Sequence, residues 1–380
     1  MTYQLPTEDQ TLAVESFRKF LQAEIKPVVK EYRDRFIPKE TMRELTQKIA
    51  QFGLPGCTLP VEHGGMGLSF TTHCMLFEEL VACSCDLALT VMINNGIARR
   101  LLSARPEIRD RYLPGMLAGK LFGCAGISEP DVGSNVAEIK TRAVRDGDHF
   151  IVNGEKTWIT NGVYSDFLIC TVRGENGLSH IVIDREEHGY EARNIQKIGL
   201  NSQSTAQIFI TDARVPATNL IDDEGAGLKN TMKMFEHARG HVGMLSVGIM
   251  RAALEESIAY AKERKQFGKV IASHQLIAAK IADMAMMLDA ARLMCMRVFG
   301  MMDAGVRCDL EASMAKAFAT EAAVQVCRDA VQLHGGNGIT KEFNVERYLR
   351  EAIIIPIPDG TTEIQRLFIS RRLTGISAFI

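Results

Sequence analysis

The 380-residue sequence predicts an α+β fold in three consecutive parts: an N-terminal α-helical domain over residues 1–122, a middle β-barrel or β-sandwich domain over 123–232, and a C-terminal four-helix bundle over 233–380. Three observations carry this. Apolar residues recur at helical spacing up to about residue 122. They alternate with a period of two through the middle, then return to helical spacing with a heptad seam. At about 150 residues per domain, the length accommodates two or three such units.

In the first part, Ser16, Phe17, Phe20, Leu21 and Ile25 follow one helix face, and Glu78 to Arg100 is a long apolar stretch without proline. The glycine-rich run His63 to Ser69 breaks the helical pattern as a turn. In the middle part, Asn153-Gly154 behind a β-rich run is a short hairpin signal. FLICTVR, SHIVIDR and AQIFITDARVP read as strands separated by Gly, Asn and Asp. In the last part, Ile277, Ile281, Met284, Leu288, Ala291, Cys295 and Val298 form a heptad seam. That seam needs a partner helix, in the same bundle or in another subunit; a bundle within the chain is the simpler use.

The charge balance excludes some functions. Lys and Arg number 44 against 46 Asp and Glu, a formal net charge of −2, which argues against a general nucleic-acid binder. No uninterrupted apolar run of about 18 residues is present, so no membrane span is expected. The start, MTYQLPTEDQ, lacks the pattern of a secretory or transit peptide, and a cytoplasmic location is expected. Nine cysteines, scattered without a CxxC pair, fit reduced core thiols. The histidines show no zinc-ligand spacing relative to them, so no metal is expected.

Five segments could carry chemistry. Gly126 to Asn135 (GISEPDVGSN) is a loop of small residues and hydroxyls that could offer N–H groups to an anionic or polar-edged ligand, although read alone an ordinary surface turn is the better explanation. Lys156 to Gly162 holds the only tryptophan, Trp158, and Thr160; it could wall a planar cofactor or be core plus turn. In Glu263 to Lys269, Arg264 could grip a phosphate, or merely end a helix favourably. Gly335, Gly336 and Gly338 could cap a helix or let a ligand approach the backbone. Asp359, in the Asp-Gly turn of PIPDGTTEIQR, could cap a helix or serve as a general base on a stiff loop.

Taken in order, LPVEHGGMGLS, ISEPDVGSN, NGEKTWITNG, DARVPATNLI, GLKNTMKMFEHARG, YAKERKQFGK, LHGGNGI and DGTTEIQR resemble the acyl-CoA dehydrogenase family nearly end to end. The resemblance implies FAD between the β-domain and the C-terminal bundle, a homo-oligomer, usually a tetramer, and electron-transfer flavoprotein as acceptor. Ala125, Ile127, Ser128, Gly133 and Ser134 would line the flavin, with Ser134 also at the substrate entrance, and Trp158 and Thr160 would sit against the ring. Arg264, Gln266, Phe267, Gln275, Gln332, Gly335 and Gly336 would hold pyrophosphate and adenosine, typically across a subunit boundary. Thr361 and Glu363 would complete the flavin contacts, while Glu236, Arg239 and Gly360 would face the acyl-CoA. The implied reaction is α,β-dehydrogenation of an acyl-CoA thioester, with Asp359 removing the α-proton and the β-hydride passing to flavin N5.

Two positions depart from the family pattern. Most relatives carry Glu where this chain has Asp359, shorter by one methylene, or roughly 1.5 Å. A shifted loop, or a substrate branched or cyclic at the α-carbon, would compensate. The alternative base position just before Arg239 is Ala238, which leaves Asp359 as the choice. Asn135 replaces a common Asp, with only a changed turn hydrogen bond expected. Cys83 to Asn95 would floor the acyl pocket, with Leu87, Leu89 and Met92 lining it and Asp86 facing pocket or solvent. A flavin oxidase or monooxygenase on this scaffold, and a non-catalytic flavin-bound protein, are the rival readings.

Overall fold

The computed structural model describes residues 5–379, so Met1 to Gln4, part of the start inspected for a leader, lie outside it. The first helical part begins with α1 (Glu8–Phe20), where Thr7 and Gln10 form a capping box. It runs through a π-helical turn, Leu21–Ile25, into α2 (Lys26–Glu31), burying Phe17, Leu21 and Ile25 along one side. Then follow α3 (Lys39–Ala50), α4 (Phe70–Cys83), α5 (Cys85–Leu101) and α6 (Pro106–Leu117). The apolar stretch from Glu78 to Arg100 is not one helix. Ser84 is extended, at φ −160°, and its hydroxyl accepts from the Leu87 N–H, which starts α5 afresh.

The middle part is an eight-stranded sheet: β1 (Gly123–Gly126), β2 (Arg142–Asp146), β3 (His149–Thr160), β4 (Phe167–Gly174), β5 (Gly177–Asp184), β6 (Glu191–Asn194), β7 (Thr205–Pro216) and β8 (Leu220–Ile221). The order is β6-β7-β3-β2-β4-β5-β8, with β1 parallel to β4. The hairpin expected at Asn153-Gly154 is not there. That pair lies inside β3, where the register with β7 shifts between Val152 and Gly154. The Asn153 side chain bonds Asp212, and the reversal into β3 comes earlier, at Gly147 with φ +60°. A bulge and a turn both favour glycine, so the dipeptide did not discriminate between them.

The last helices are α7 (Gly227–Glu263), α8 (Gln275–Asp303), α9 (Asp309–His334), α10 (Val345–Ile354) and α11 (Thr362–Thr374). The boundary drawn at 232/233 falls within the first turns of α7. Beyond α7 comes a small hairpin, β9 (Lys265–Gln266) and β10 (Lys269–Val270). α7, α8 and α9 pack on one another, α10 and α11 rest on α9, and α4 packs on α7 and α8. Met284, Leu288, Ala291, Cys295 and Val298 of the seam are buried in the apolar cluster that also holds Leu80 and Val81 of α4 and Val242 of α7. The seam is therefore used within the chain. All nine cysteines are free, eight of them buried.

A buried charge cluster ties the three parts. Asp86 of α5 accepts from the Ser202 and Gln203 N–H groups of the middle part, at 2.9 and 3.1 Å. It therefore faces neither pocket nor solvent. Arg347 and Glu351 of α10 lie beside it, 3.4 Å from one another. Burial pushes the Glu351 carboxyl above its ordinary value of 4.5, and Asp86 adds to the rise, although Arg347 opposes it. Such a carboxyl contributes stability that is complete below 4.5 and is lost as pH rises through its folded value. Glu351→Gln should flatten the fall of melting temperature with rising pH, measured by scanning calorimetry from acid to mildly alkaline buffer; an unchanged slope would count against this cluster as its source.

Candidate functional site

The loop from Gly126 to Asn135 is held from beneath by a buried ion pair. Lys156 of β3 is fully buried and Glu129 nearly so, with Nζ to Oε1 at 2.8 Å. The Glu129 carboxylate also accepts from the Lys140 N–H, the Thr141 N–H and the Thr141 hydroxyl, at 2.7, 2.8 and 2.6 Å. Burial alone would raise that carboxyl, but the bonds from Lys156 and Thr141 prevail and hold it below its usual range. Lys156 further donates to the Ile127 carbonyl at 3.2 Å, and the Thr157 N–H donates to the Ser128 carbonyl at 2.9 Å. Ala125, Ile127 and Ser128 are half-buried on this support, while Gly133 and Ser134 are exposed; a Cβ at Gly133 would meet nothing.

Trp158 stands one residue from Thr157, and it is not a core residue. The second irregularity of β3, between Lys156 and Ile159, gives Trp158 a φ of +63° and leaves its side chain 62% exposed. Thr160 is half-buried at the end of the same strand. A large indole left open beside a loop with free space suits a flat ligand ring.

The second group surrounds the loop between α10 and α11. Asp359 has φ +56° and Gly360 φ +92°. Asp359 is half-buried, and among the described residues its carboxylate accepts no hydrogen bond. Burial raises its carboxyl, opposed by the positive charges of Lys316 and Arg239. Arg239 of α7 is 7% exposed, donates to the Ser313 hydroxyl at 3.1 Å and stacks its guanidinium on Phe368, 5.2 Å from the centroid. Its Nε has no partner among the described residues. Glu236 is half-buried, its carboxyl raised by burial and by Asp309. Thr361 caps α11 by accepting from the Ile364 N–H, and Glu363 is exposed.

The third group lies at the far end of α7. Arg264, Gln266, Phe267, Gln275, Gln332, Gly335 and Gly336 are all exposed, and Phe267 at the β9–β10 tip is 94% so. Leu333 packs with Ala261 and Ile271, which sets the end of α9 beside the hairpin. A Cβ at Gly335 or Gly336 would meet nothing. From Arg239 to Arg264 the helix rises about 1.5 Å per residue, or roughly 37 Å in all. The residues of this third group are thus well separated from the Arg239–Asp359 group of the same chain.

Sequence reasoning missed Glu129, Lys156, Ser313, Lys316, Gln365 and Phe368. The one signal for Lys316 was a single charge within the apolar run Ala312 to Ala319. Among the described residues, no cluster of His, Cys, Asp or Glu is arranged to hold a metal, and no helix is long and apolar enough to cross a membrane.

The arrangement of helical parts around a sheet, with a carboxylate loop facing a buried arginine, defines a class that comparison identifies. Residues 7–120, 124–213 and 225–374 match the N-terminal, middle and C-terminal domains of acyl-CoA dehydrogenase. The chain is similar to YngJ of Bacillus subtilis, described as a probable acyl-CoA dehydrogenase, with 36% identity over 98% of this chain and 100% of that protein. It is 36% identical, over 88% of this chain and 90% of the relative, to subunit CarC of the caffeyl-CoA reductase–Etf complex of Acetobacterium woodii. A glutaryl-CoA dehydrogenase of Mycobacterium smegmatis, solved in complex with FADH2, superposes with a TM-score of 0.92 at 27% identity, covering 99% of this chain and 97% of that one. The chain belongs to the acyl-CoA dehydrogenase family, and it is an oxidoreductase of that family.

Lys156→Met leaves the Glu129 carboxylate buried and unpaired, which should cost about 3–5 kcal/mol. Denaturant unfolding should show that loss, together with a lower flavin-to-protein ratio after purification; a stable variant with full flavin would refute the support role.

Proposed function

We propose that the protein dehydrogenates an acyl-CoA thioester at the α,β position, with Asp359 as the base and FAD as its cofactor. The single observation that carries this reading is the Asp359 carboxylate, half-buried, without a hydrogen bond among the described residues, and close to two cations. A carboxylate raised by burial yet left free of donors is suited to take a proton. In the step, the α-carbon's C–H bond breaks and an O–H bond forms on Asp359. Arg239, buried and lacking an acidic hydrogen-bond partner, orients the substrate from the side of α7. FAD, when bound, supplies the hydride acceptor. The Trp158 indole, Thr160 and the loop on Glu129 would hold its ring, and the open glycines at 335 and 336 with Arg264 would hold its phosphates. Because the latter lie so far along α7, they would serve the flavin of a second copy, which supports a homo-oligomer. Electron-transfer flavoprotein is proposed as the acceptor, supported by the Etf complex of the Acetobacterium relative.

The substrate is proposed to be branched or cyclic. In α5, otherwise mostly buried, Gly96 is exposed and a Cβ there would meet nothing within 4 Å. It continues the stripe of Leu89 and Met92, which the family resemblance assigns to the acyl-pocket lining, and a bulky acyl group would find room there.

Anaerobic titration of the yellow holoenzyme with straight, branched and cyclic acyl-CoAs should bleach the flavin, fastest with a bulky member; no bleaching by any would overturn the reading. Asp359→Asn should slow flavin reduction by about 10²–10⁴-fold. In the wild type, the rate should rise with pH along a limb centred above 3.8, the ordinary aspartate value, since the base must be ionised. Gly96→Leu should lower kcat/KM for bulky substrates at least about tenfold, equivalent to roughly 1.4 kcal/mol, and spare a short straight one. Equal losses on both would argue against Gly96 as a source of pocket width.

A further inference from the structure

Lys316 has no part in the chemistry described so far, yet it is among the largest side chains that are fully buried. It lies in the middle of α9, and among the described residues it forms no ion pair. Its Nζ donates instead to two backbone carbonyls, Pro356 at 3.0 Å and Gly360 at 2.6 Å. These carbonyls bracket Asp359. A second tether comes from Gln365 of α11, also fully buried, whose Nε2 donates to the Asp359 and Gly360 carbonyls at 3.1 and 2.9 Å.

Burying an ammonium without a carboxylate is costly, and an apolar side chain of like volume would fill the space more cheaply. The charged groups around Lys316 are Asp359 on the loop, Arg239 on α7, Glu321 on α9 and Glu363 on α11. Burial pushes its ammonium down to about 8, against the pull of Asp359. Gln365 alone could hold Asp359 and Gly360. What Lys316 adds is a hold on Pro356 and a positive charge behind the loop.

We propose that Lys316 is the positioning residue for the base: it locks the Pro356 and Gly360 carbonyls inward, so that the Asp359 side chain is presented to the substrate in front of a fixed positive charge. The inference rests on Asp359 being the base. Because aspartate is a short side chain, its reach is set by the backbone that carries it, and a shift of about 1 Å can cost 10²-fold in rate.

The test uses the full-length holoenzyme and its Lys316→Met and Lys316→Gln variants. Flavin content is read by absorbance. Anaerobic stopped-flow reduction is then followed with the fastest of butyryl-CoA, isobutyryl-CoA, cyclohexanecarbonyl-CoA and 3-phenylpropanoyl-CoA across a pH series. Lys316→Met should keep its flavin, lose about 10²-fold in limiting rate, leave KM within about threefold, and move the acid limb of the rate to higher pH, because a cation that favours the carboxylate is gone. Lys316→Gln, which can still donate but carries no charge, should recover part of the rate and keep the displaced limb. An unchanged limb and rate would overturn the inference. So would a loss matched entirely by missing flavin, or failure of both variants to fold, since Lys316 would then serve structure alone. Asp359→Asn is run beside them. Full activity there sinks the base assignment itself, whereas an inactive Asp359→Asn with wild-type behaviour in the lysine variants removes only the role of Lys316.

Discussion

Close packing around α7 is the constraint on which the other features depend. Its 37 residues lie against α4, α8 and α9, and two glycines set how near the neighbours come. A Cβ at Gly243 would be 2.7 Å from the Cys295 sulfur of α8, and one at Gly248 would be 2.4 Å from Val81 of α4. A helical glycine costs about 0.5–1 kcal/mol relative to alanine. Here the cost is offset by contact between helices that are far apart in the chain, giving one apolar cluster from α1 to α10. With its rotation fixed in this way, α7 aims Arg239 at Ser313 and Phe368, towards the Asp359 loop, and leaves Arg264 at a remote end.

The buried charges follow a pattern that separates support from chemistry. Glu129 and Lys156 satisfy each other and saturate their remaining positions with backbone and Thr141. Lys316 donates to carbonyls, and Arg239 is held by a hydroxyl and an aromatic face, with its Nε unpartnered among the described residues. Each supporting group therefore has fixed partners, which lowers its freedom to reorganise. Asp359 differs: it has cations within electrostatic reach but, among the described residues, no donor on its oxygens. Strong hydrogen bonds would stabilise the carboxylate and blunt it as a base. The site thus supplies charge without capping the reactive atoms.

Much of this was legible in the sequence because local pattern and ordered motifs carry it. The change from helical to two-residue period at Gly123 coincides with the first strand, and the heptad seam marks the buried face of α8. The misread hairpin and the features left open or unread have physical causes. Asn153-Gly154 satisfies a bulge as readily as a turn, and the choice was made by the pairing of β3 with β7, which is long-range. Ser84 interrupts an apolar stretch without a proline or glycine to mark it. Trp158 looked equally suited to core or surface until the bulge before Ile159 turned it outward. Lys316 could not be linked to Asp359, because 42 residues intervene and only the docking of α10 and α11 on α9 joins them.

That link bears on why aspartate occupies the base position. A residue at φ +56° lies in the left-handed region, where Asp and Asn are enriched over longer side chains. The tethers from Lys316 and Gln365 hold this conformation by fixing the carbonyls at 356, 359 and 360. Glutamate would extend the carboxylate by one methylene but would not share that preference, so loop geometry and residue choice are coupled. On the proposed reading the shorter base is no isolated exchange: it belongs with a loop tethered by a buried lysine. Lengthening the proposed base without changing the tethers would carry the carboxylate about 1.5 Å further from that fixed backbone.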